Sequence, residues 1–429
     1  MTKKANMTKK RLLVLGASNN ASDIRAFADN NNTQIIVAGL KFHEDIIKIA
    51  DEMYVLNVLD RDELIRLISD KKIDGVFVGG NEDIIAGVID VSERLAFPFY
   101  STRKIWAITS NKKKFKGFCE KNKIPVVNSF EISAYSNLDV CSKAQFPVVI
   151  KPVDLSGSKG LKLCSNLEEF LDSYSSIKDI SKSNDVIIEE KINGDEIVVY
   201  YTFCDGEVSL TSMGDKYLRT DGKLINGLAD VYFYPSKYLN EYKQHIDFKM
   251  KKMLLSMGIK NGITSIQGFY TEDGFKFFEM GYRLGGTAQY RYTSLLNNMN
   301  SFEMMMHFAL TGKMLGYEKN LDNPHFKMKC CTLSFLSKGG TVRAIFGIDE
   351  IKQLPGVLHL ENRYKVGDEI EITNTVAQFH LRAYLVSDNL NQMKQLISKV
   401  QSIIKVYDTN GKSMLKSGFD LKRLDNFIQ

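Results

Sequence analysis

The sequence predicts an α/β protein with a Rossmann-like parallel sheet at its start, a mixed central region and a β-rich end. Three observations predict it. Short apolar runs alternate with helix-compatible segments over the first quarter of the chain. A strand that delivers a lysine into a loop of small residues, and an apolar hairpin, occupy the middle. Beyond residue 327, short runs alternate in the manner of antiparallel strands. At 429 residues the chain is long enough for several domains, each with its own core.

The N-terminal runs are Arg11-Leu12-Leu13-Val14-Leu15-Gly16, Gln34-Ile35-Ile36-Val37-Ala38, Met53-Tyr54-Val55-Leu56 and Gly75-Val76-Phe77-Val78. Runs this short and apolar read as buried strands of a parallel sheet with helices on both faces. Gly16-Ala17-Ser18 follows the first strand, where an open α/β sheet presents its binding loop. The Gly-x-Gly-x-x-Gly dinucleotide fingerprint is incomplete there. Gly79-Gly80-Asn81-Glu82 ends the fourth strand and reads equally as a pocket wall or as a helix cap.

In the middle, Phe146-Pro147 leads into Val148-Val149-Ile150, a buried strand that delivers Lys151. A loop containing Ser156, Gly157, Ser158 and Gly160 follows at once. Small residues let backbone N–H groups close on phosphate oxygens, and an adjoining lysine neutralises their charge. The pattern is not a Walker loop, because no Gly-Lys-Ser/Thr opens a helix after it. On its own the loop is either a phosphate cradle or an ordinary hairpin.

Residues 262–286 read as two strands around a tight turn. With Glu272-Asp273-Gly274 as a three-residue loop, Gly274 takes the left-handed position. Thr271 then faces Phe275, and Gln267 lies opposite Glu279, where directly opposed side chains share one face. Arg283 stands just beyond. The other reading is a solvated surface hairpin, against which Ile263, Ile266, Phe269, Phe275, Phe277 and Phe278 count. Leu239, Tyr242, Ile246, Met250, Met253 and Leu254 recur at helical spacing and read as core. Met304-Met305-Met306 reads the same way, and Asn298 and Asn300 read as helix caps. At the β-rich end the strands are Leu333-Ser334-Phe335-Leu336, Thr341-Val342-Arg343-Ala344-Ile345, Val357-Leu358-His359-Leu360, Glu369-Ile370-Glu371-Ile372 and the run from His380 to Val386. Lys365-Val366-Gly367-Asp368 is a turn, and residues 391–406 form an amphipathic helix.

Composition excludes several classes. No apolar run reaches the roughly 20 residues that span a membrane. Cys119, Cys141, Cys164, Cys204, Cys330 and Cys331 form no Cys-x-x-Cys pair, and the scattered histidines indicate no zinc site. The cysteines read as reduced thiols of a cytoplasmic protein. A net charge of +6 is modest for this length. The basic clusters, at Lys3, Lys4, Lys9, Lys10 and Arg11 and at Lys112, Lys113 and Lys114, lack interleaved aromatics, so nucleic acid is not an expected partner. The basic tail lacks the apolar core of a secretory signal and reads as a solvated leader.

Taken together, these segments resemble the ATP-grasp superfamily of ATP-dependent ligases, its biotin carboxylase-like and L-amino-acid-ligase-like members above all, over most of the chain. Lys112, in Ser110-Asn111-Lys112, looks like the first nucleotide lysine, although the family usually has an aspartate before it. Lys151 resembles the second, and the loop with Ser156, Gly157, Ser158 and Gly160 resembles the phosphate lid. Val186-Ile187-Ile188-Glu189-Glu190-Lys191-Ile192 looks like the interdomain linker. The resemblance there implies nucleotide contacts at Glu189, Glu190 and Ile192, with backbone groups on the adenine edge. Glu196 matches the acid that grips the ribose hydroxyls. Glu279 and Arg283 match the magnesium carboxylate and the catalytic arginine. Two departures stand out, Gln267 where the family has Glu and Gly281 where it has Asn. Magnesium needs only one or two protein carboxylates when phosphates and waters complete its shell. Glu279 therefore suffices, with the Gln267 amide oxygen as a neutral ligand.

The resemblance implies an ATP-grasp fold in four units: a Rossmann-like domain (1–105), a small subdomain (106–188), a large lobe (189–326) and a C-terminal α+β domain (327–429). It implies a carboxylate–amine ligase that uses ATP and Mg2+ and forms an acyl phosphate. Its partners are a small-molecule carboxylate and amine, and a homodimer is the favoured assembly. Carboxylation, formyl transfer and non-catalytic ATP binding are the alternatives. A biotin-acceptor Ala-Met-Lys-Met is not present.

Overall fold

The computed structural model describes residues 8–130, 146–157, 159–219, 228–373 and 375–427. Ser158, Cys141, Lys3 and Lys4 lie outside the described residues. The N-terminal sheet is parallel in the order β3-β2-β1-β4. Its strands are β1 (Lys10–Leu15), β2 (Thr33–Gly39), β3 (Glu52–Val55) and β4 (Gly75–Val78). Helices α1 (Ala21–Asn30), α2 (Glu44–Ile49), α3 (Arg61–Asp70) and α4 (Glu82–Leu95) connect and cover them. Alternate side chains fill two cores. Leu13, Leu15, Ile36 and Val78 meet Leu64, Ile68 and Ile85, while Leu12, Val14 and Ile35 meet Ile24 and Phe27. The run from Met53 departs from the expected buried strand. It is the outermost strand, where the covering layer ends, and Val55 is 76% exposed.

Helices α5 (Arg103–Thr109) and α6 (Lys112–Lys121) lead to a small antiparallel sheet in the order β5-β8-β6-β7. Its strands are β5 (Ser129–Phe130), β6 (Val148–Pro152), β7 (Lys162–Cys164) and β8 (Val186–Glu190), and α7 (Leu167–Ile180) packs on it. Val148, Ile150, Phe170, Ile177 and Ile188 form its core.

The large sheet collects β9 (Asp195–Cys204), β10 (Glu207–Leu218), β11 (Ala229–Tyr234), β12 (Gly262–Thr271) and β13 (Gly274–Gly281). Helices α8 (Leu239–His245), α9 (Asp247–Ser256), α10 (Tyr290–Asn297) and α11 (Ser301–Thr311) cover it with the apolar stripe and the three methionines expected as core. Asn300 caps α11, and Asn298 ends α10 in the left-handed region. The sheet does not stop near residue 327. The order β13-β12-β9-β10-β11-β14-β18-β16 takes in β14 (Lys329–Leu336), β16 (Val357–Asn362) and β18 (Phe379–Ser387). Strand β15 (Gly340–Phe346), with α12 (Ile348–Lys352) after it, joins β17 (Glu369–Ile370) and β19 (Lys405–Asp408) in a separate sheet. The last helix, α13 (Leu390–Ile403), is shorter than expected. Val406 is drawn instead into the core of that sheet with Val342, Ile370 and Met414.

The hairpin reaches the expected register by a different route. Thr271 pairs with Gly274, so the turn is Glu272-Asp273 alone, and Gly274 stands on the strand at φ +95. A bulge then leaves Phe278 unpaired between Gly268↔Phe277 and Gln267↔Glu279. The two offsets cancel, and Gln267 faces Glu279. Residues 125–127 cover the outer edge of β13, with Phe277 N donating to Pro125 O and Val127 N to Phe277 O, each at 3.0 Å. Immediately after, Asn128 and Glu190 exchange bonds: Glu190 N to Asn128 O at 3.1 Å, and Asn128 N to Glu190 Oε1 at 3.0 Å.

Candidate active site

The small sheet, the large sheet and strand β18 enclose a cavity of about 810 Å³. Period-two alternation in β6 sends Val148 and Ile150 into the core and leaves Val149 and Lys151 on the cavity wall. Lys151 Nζ lies 2.7 Å from Glu189 Oε2 and 4.6 Å from the centroid of the Phe278 ring, a geometry in which the ring face attracts the ammonium. The other oxygen of Glu189 is 2.8 Å from Lys116 Nζ. Burial pushes the Lys116 pKa down, and the Glu189 carboxylate only partly offsets it. Glu189 therefore spends both oxygens on two lysines, one of which faces the cavity.

Lys112 stands at the start of α6, where Asn111 accepts from Lys114 N at 3.0 Å and fixes the first turn. Its ammonium donates to Leu155 O at 2.6 Å and lies 3.4 Å from Glu279 Oε2. From Glu279 a polar row crosses the sheet. Gln267 Nε2 donates to Glu279 Oε1 at 2.6 Å, and Gln267 Oε1 accepts from Lys216 Nζ at 2.7 Å. Lys216 also pairs with Glu196, its cross-strand neighbour. Burial would lower the Lys216 pKa, but the Glu196 carboxylate reverses this and raises it. Burial likewise pushes the Glu279 carboxyl up, and Lys112, Lys151 and Lys216 together outweigh it, so the net direction is down.

An ionised oxygen donor on the cavity wall suits a hard cation such as magnesium, provided phosphates and waters supply the other ligands. Glu279 fits that requirement. The Gln267 amide oxygen is already taken by Lys216, so in this arrangement Gln267 is a bridge between two charges rather than an open ligand. No cluster of three or more His, Cys, Asp or Glu occurs among the described residues. At Gly281, opposite Ser265, an added Cβ would sit 3.2 Å from Ser265 Oγ and 3.7 Å from Arg283 Cζ. A side chain there would need the Ser265 hydroxyl to give by a few tenths of an ångström and would stand beside the Arg283 guanidinium.

Arg283 Nε donates to Glu82 Oε1 at 2.9 Å, so helix α4 of the N-terminal unit reaches the site. Both readings of residues 79–82 hold at once. Asn81 caps α4 by accepting from Asp83 N and Ile84 N, while Gly80 lines the cavity. After Arg283 the chain turns through Gly285, where a Cβ would lie 2.9 Å from the Tyr200 ring, so only glycine fits there.

The small-residue loop is anchored at one end. Asp154 accepts from Ser181 Oγ at 2.9 Å and from Ser183 N and Oγ at 2.7 Å, and the Leu155 carbonyl is held by Lys112. Ser156 and Gly157 line the cavity. Gly160, at φ +72, packs on Ile180 and Pro152. Glu190, Ile192 and Glu196 also line the cavity. The cavity wall thus carries Lys112, Lys151, Ser156, Gly157, Glu189, Glu190, Ile192, Glu196, Gln267, Glu279 and Arg283.

Sequence reasoning missed Lys116, Lys216 and Arg382. Lys116 lies one helical turn beyond Lys112, which was a usable signal. Lys216 required the register of the β9–β10 hairpin, which a bulge between Leu210 and Ser212 conceals. Arg382, on β18, comes from a unit that the motifs did not connect to the site.

Residues 144–290 match the ATP-grasp domain family. The L-arginine-specific L-amino acid ligase of Bacillus subtilis is 23% identical over 320 residues, 71% of this chain and 73% of the relative. The phosphoribosylamine–glycine ligase of Caldanaerobacter subterraneus is 26% identical over 332 residues, 73% of this chain and 78% of the relative. The crystal structure of the L-amino acid ligase from Bacillus licheniformis superposes with a TM-score of 0.77 at 16% identity, covering 94% of this chain and 100% of that one. Residues 144–290 are thus an ATP-grasp domain, and the chain is similar to ATP-grasp ligases over about seven-tenths of its length.

Proposed function

We propose that the protein is an ATP-dependent, ADP-forming carbon–nitrogen ligase that joins a small carboxylate to an amine through an acyl phosphate. The observation that carries this reading is the row Lys112, Glu279, Gln267, Lys216, Glu196, which lines one cavity with Lys151 and Arg283. Such an array suits a polyphosphate on one side and a reacting carboxylate on the other. A carboxylate is a poor electrophile in water, so the reaction needs a leaving group. The substrate carboxylate oxygen attacks the γ-phosphorus of ATP, the bond to the bridging oxygen breaks and ADP departs. The amine nitrogen then attacks the acyl carbon, phosphate leaves and the nitrogen gives up a proton.

The protein's share is positioning and charge stabilisation. Lys112 and Lys151 hold the α- and β-phosphates, and Ser156 and Gly157 close over the terminal phosphates. Glu190, Ile192 and Glu196 take the nucleoside end. Glu189 keeps Lys151 in place. Glu279 would hold a magnesium ion, which would supply positive charge to the polyphosphate. Arg283 and the backbone N–H groups around Gly285 and Gly286 orient the carboxylate, as fixed donors do best.

ADP release measured with mixed amino acids and amines tests the reading. Full turnover is expected only with both a carboxylate and an amine present. Equal ADP release without either would leave an ATPase in its place, and no ADP release with both would leave a nucleotide-binding protein.

A further inference from the structure

Six cations with buried or half-buried side chains line the cavity, and their partners differ. Lys112 faces Glu279, Lys151 faces Glu189, Lys216 faces Glu196, Arg219 faces Asp230 and Arg283 faces Glu82. Arg382 is the exception, with no ion-pair partner among the described residues. Its Nη1 donates to Gly286 O at 2.6 Å, and its guanidinium carbon lies 4.4 Å from the centroid of the Phe379 ring. Its Nε is buried without an acceptor. Glu361 stands opposite it in register and favours its charge from beyond ion-pair distance, but the Glu361 carboxylate accepts the Tyr384 hydroxyl at 3.0 Å rather than a guanidinium N–H. A guanidinium taken from water needs charge-assisted acceptors to offset its desolvation, and a planar anion presents two at once.

We propose that Arg382 binds an anionic group on the amine substrate, and so selects an acidic acceptor over a neutral amine. This rests on the ligase reading above. The acyl substrate's reacting carboxylate is assigned to Arg283, at the head of the turn that runs through Gly285 and Gly286. Arg382 touches the far end of that turn through the Gly286 carbonyl. The remaining N–H groups of this guanidinium are therefore left for the acceptor. Its aromatic neighbour holds the guanidinium plane in place, which a lysine there would not exploit. A carboxylate and a phosphonate satisfy this chemistry alike.

The test is a calorimetric titration of the full chain, loaded with a non-hydrolysable ATP analogue. The probes are the common L-amino acids, their amides and the matching 1-aminoalkylphosphonates. The best-bound amino acid is expected to bind at least about tenfold more tightly than its amide, the range for a hydrogen bond to a charged group. Arg382→Gln should erase that preference and Arg382→Lys should keep part of it, while both variants bind the ATP analogue as the parent does. A phosphonate that binds more tightly than the carboxylate would make the anion a phosphate-like one. The proposal is overturned if acid and amide bind alike or if the preference survives in Arg382→Gln. It is also overturned if no probe binds, or if both variants lose the nucleotide together with the probes, since the arginine would then only brace the turn. ADP release that needs no amine would count against the ligase reading and leave the acid–amide difference standing.

Discussion

Glu189 holds Lys116 and Lys151 at once, and this decides which substitution the fold survives. Lys151→Ala leaves the acid still paired with Lys116. Turnover is expected to fall by about 10²- to 10³-fold, the cost of losing one fixed charge aimed at the reacting phosphates. The circular dichroism spectrum and melting curve should stay close to the parent's, and normal turnover would remove Lys151 from the nucleotide site. Glu189→Ala does the opposite, because it strands two buried ammoniums. Destabilisation of roughly 3–5 kcal/mol is expected in urea melts. Gln267→Glu places a second carboxylate 2.6 Å from where Glu279 now accepts a hydrogen bond. With Lys216 neutralising only part of the added charge, magnesium affinity should rise and the melting temperature should drop on chelation. Unchanged metal dependence would show that this pair does not meet the ion. That Lys112, Lys151, Glu279 and Arg283 share one cavity was legible through the resemblance of their neighbourhoods, with Lys151 and Glu279 on strands, Lys112 just after a cap and Arg283 just after a strand. Lys216 and Arg382 were not, because nothing local to them signals what they face across the sheet.

Elements decide how far each side chain's influence reaches. The loop after β6 is pinned through Asp154 and Leu155, and beyond that anchor Gly157 and Lys159 are exposed. Hydrogen exchange in 156–160 should slow when an ATP analogue is added, whereas β18 should change little. A loop already protected without nucleotide would not be a phosphate lid. Strand β10 carries a second, unrelated titration. Burial pushes the Asp215 carboxyl, ordinarily near 3.8, up to about 6, against donors from Ser236 Oγ and Lys237 N. Between about pH 4 and 6 the unfolded chain has lost this proton while the folded chain retains it. Stability from this group therefore falls as pH rises through that window and is level above it. Asp215→Asn should flatten the slope and stabilise the protein at pH 7 by roughly 1–3 kcal/mol. Urea melts at pH 4.5 and 7 compare the two, and identical pH dependence would refute the assignment. The β12–β13 hairpin shows how an element is read correctly for an incomplete reason. A period of two predicts that Gln267 and Glu279 share a face, but neither the shorter turn nor the bulge at Phe278 leaves a mark in the residue pattern.

At the scale of the whole molecule, the parallel sheet and the strand-rich end were legible because hydrophobic period reports which elements exist. It does not report which strands become neighbours. Strand β11 pairs with β14, and Val231 and Phe233 share a core with Leu333, Leu381 and Leu385. A chain ended at residue 326 would expose the edge of β11 and remove that core. Such a fragment is expected to be insoluble or to melt without cooperativity, and a soluble fragment with a sharp transition would show the large lobe to be autonomous. The crossings between the two inner sheets carry a last consequence. The chain passes from large to small through residues 125–129 and returns through 190–195, and Asn128 and Glu190 tie the two passages side by side. Helix α6 braces the small sheet from the side, through Lys112 N to Val153 O and the pairs Lys113–Asp185 and Lys116–Glu189. Lys151 is carried on the small sheet and Glu279 on the large one, so the distance between the two charges is set by that brace as much as by the two crossings.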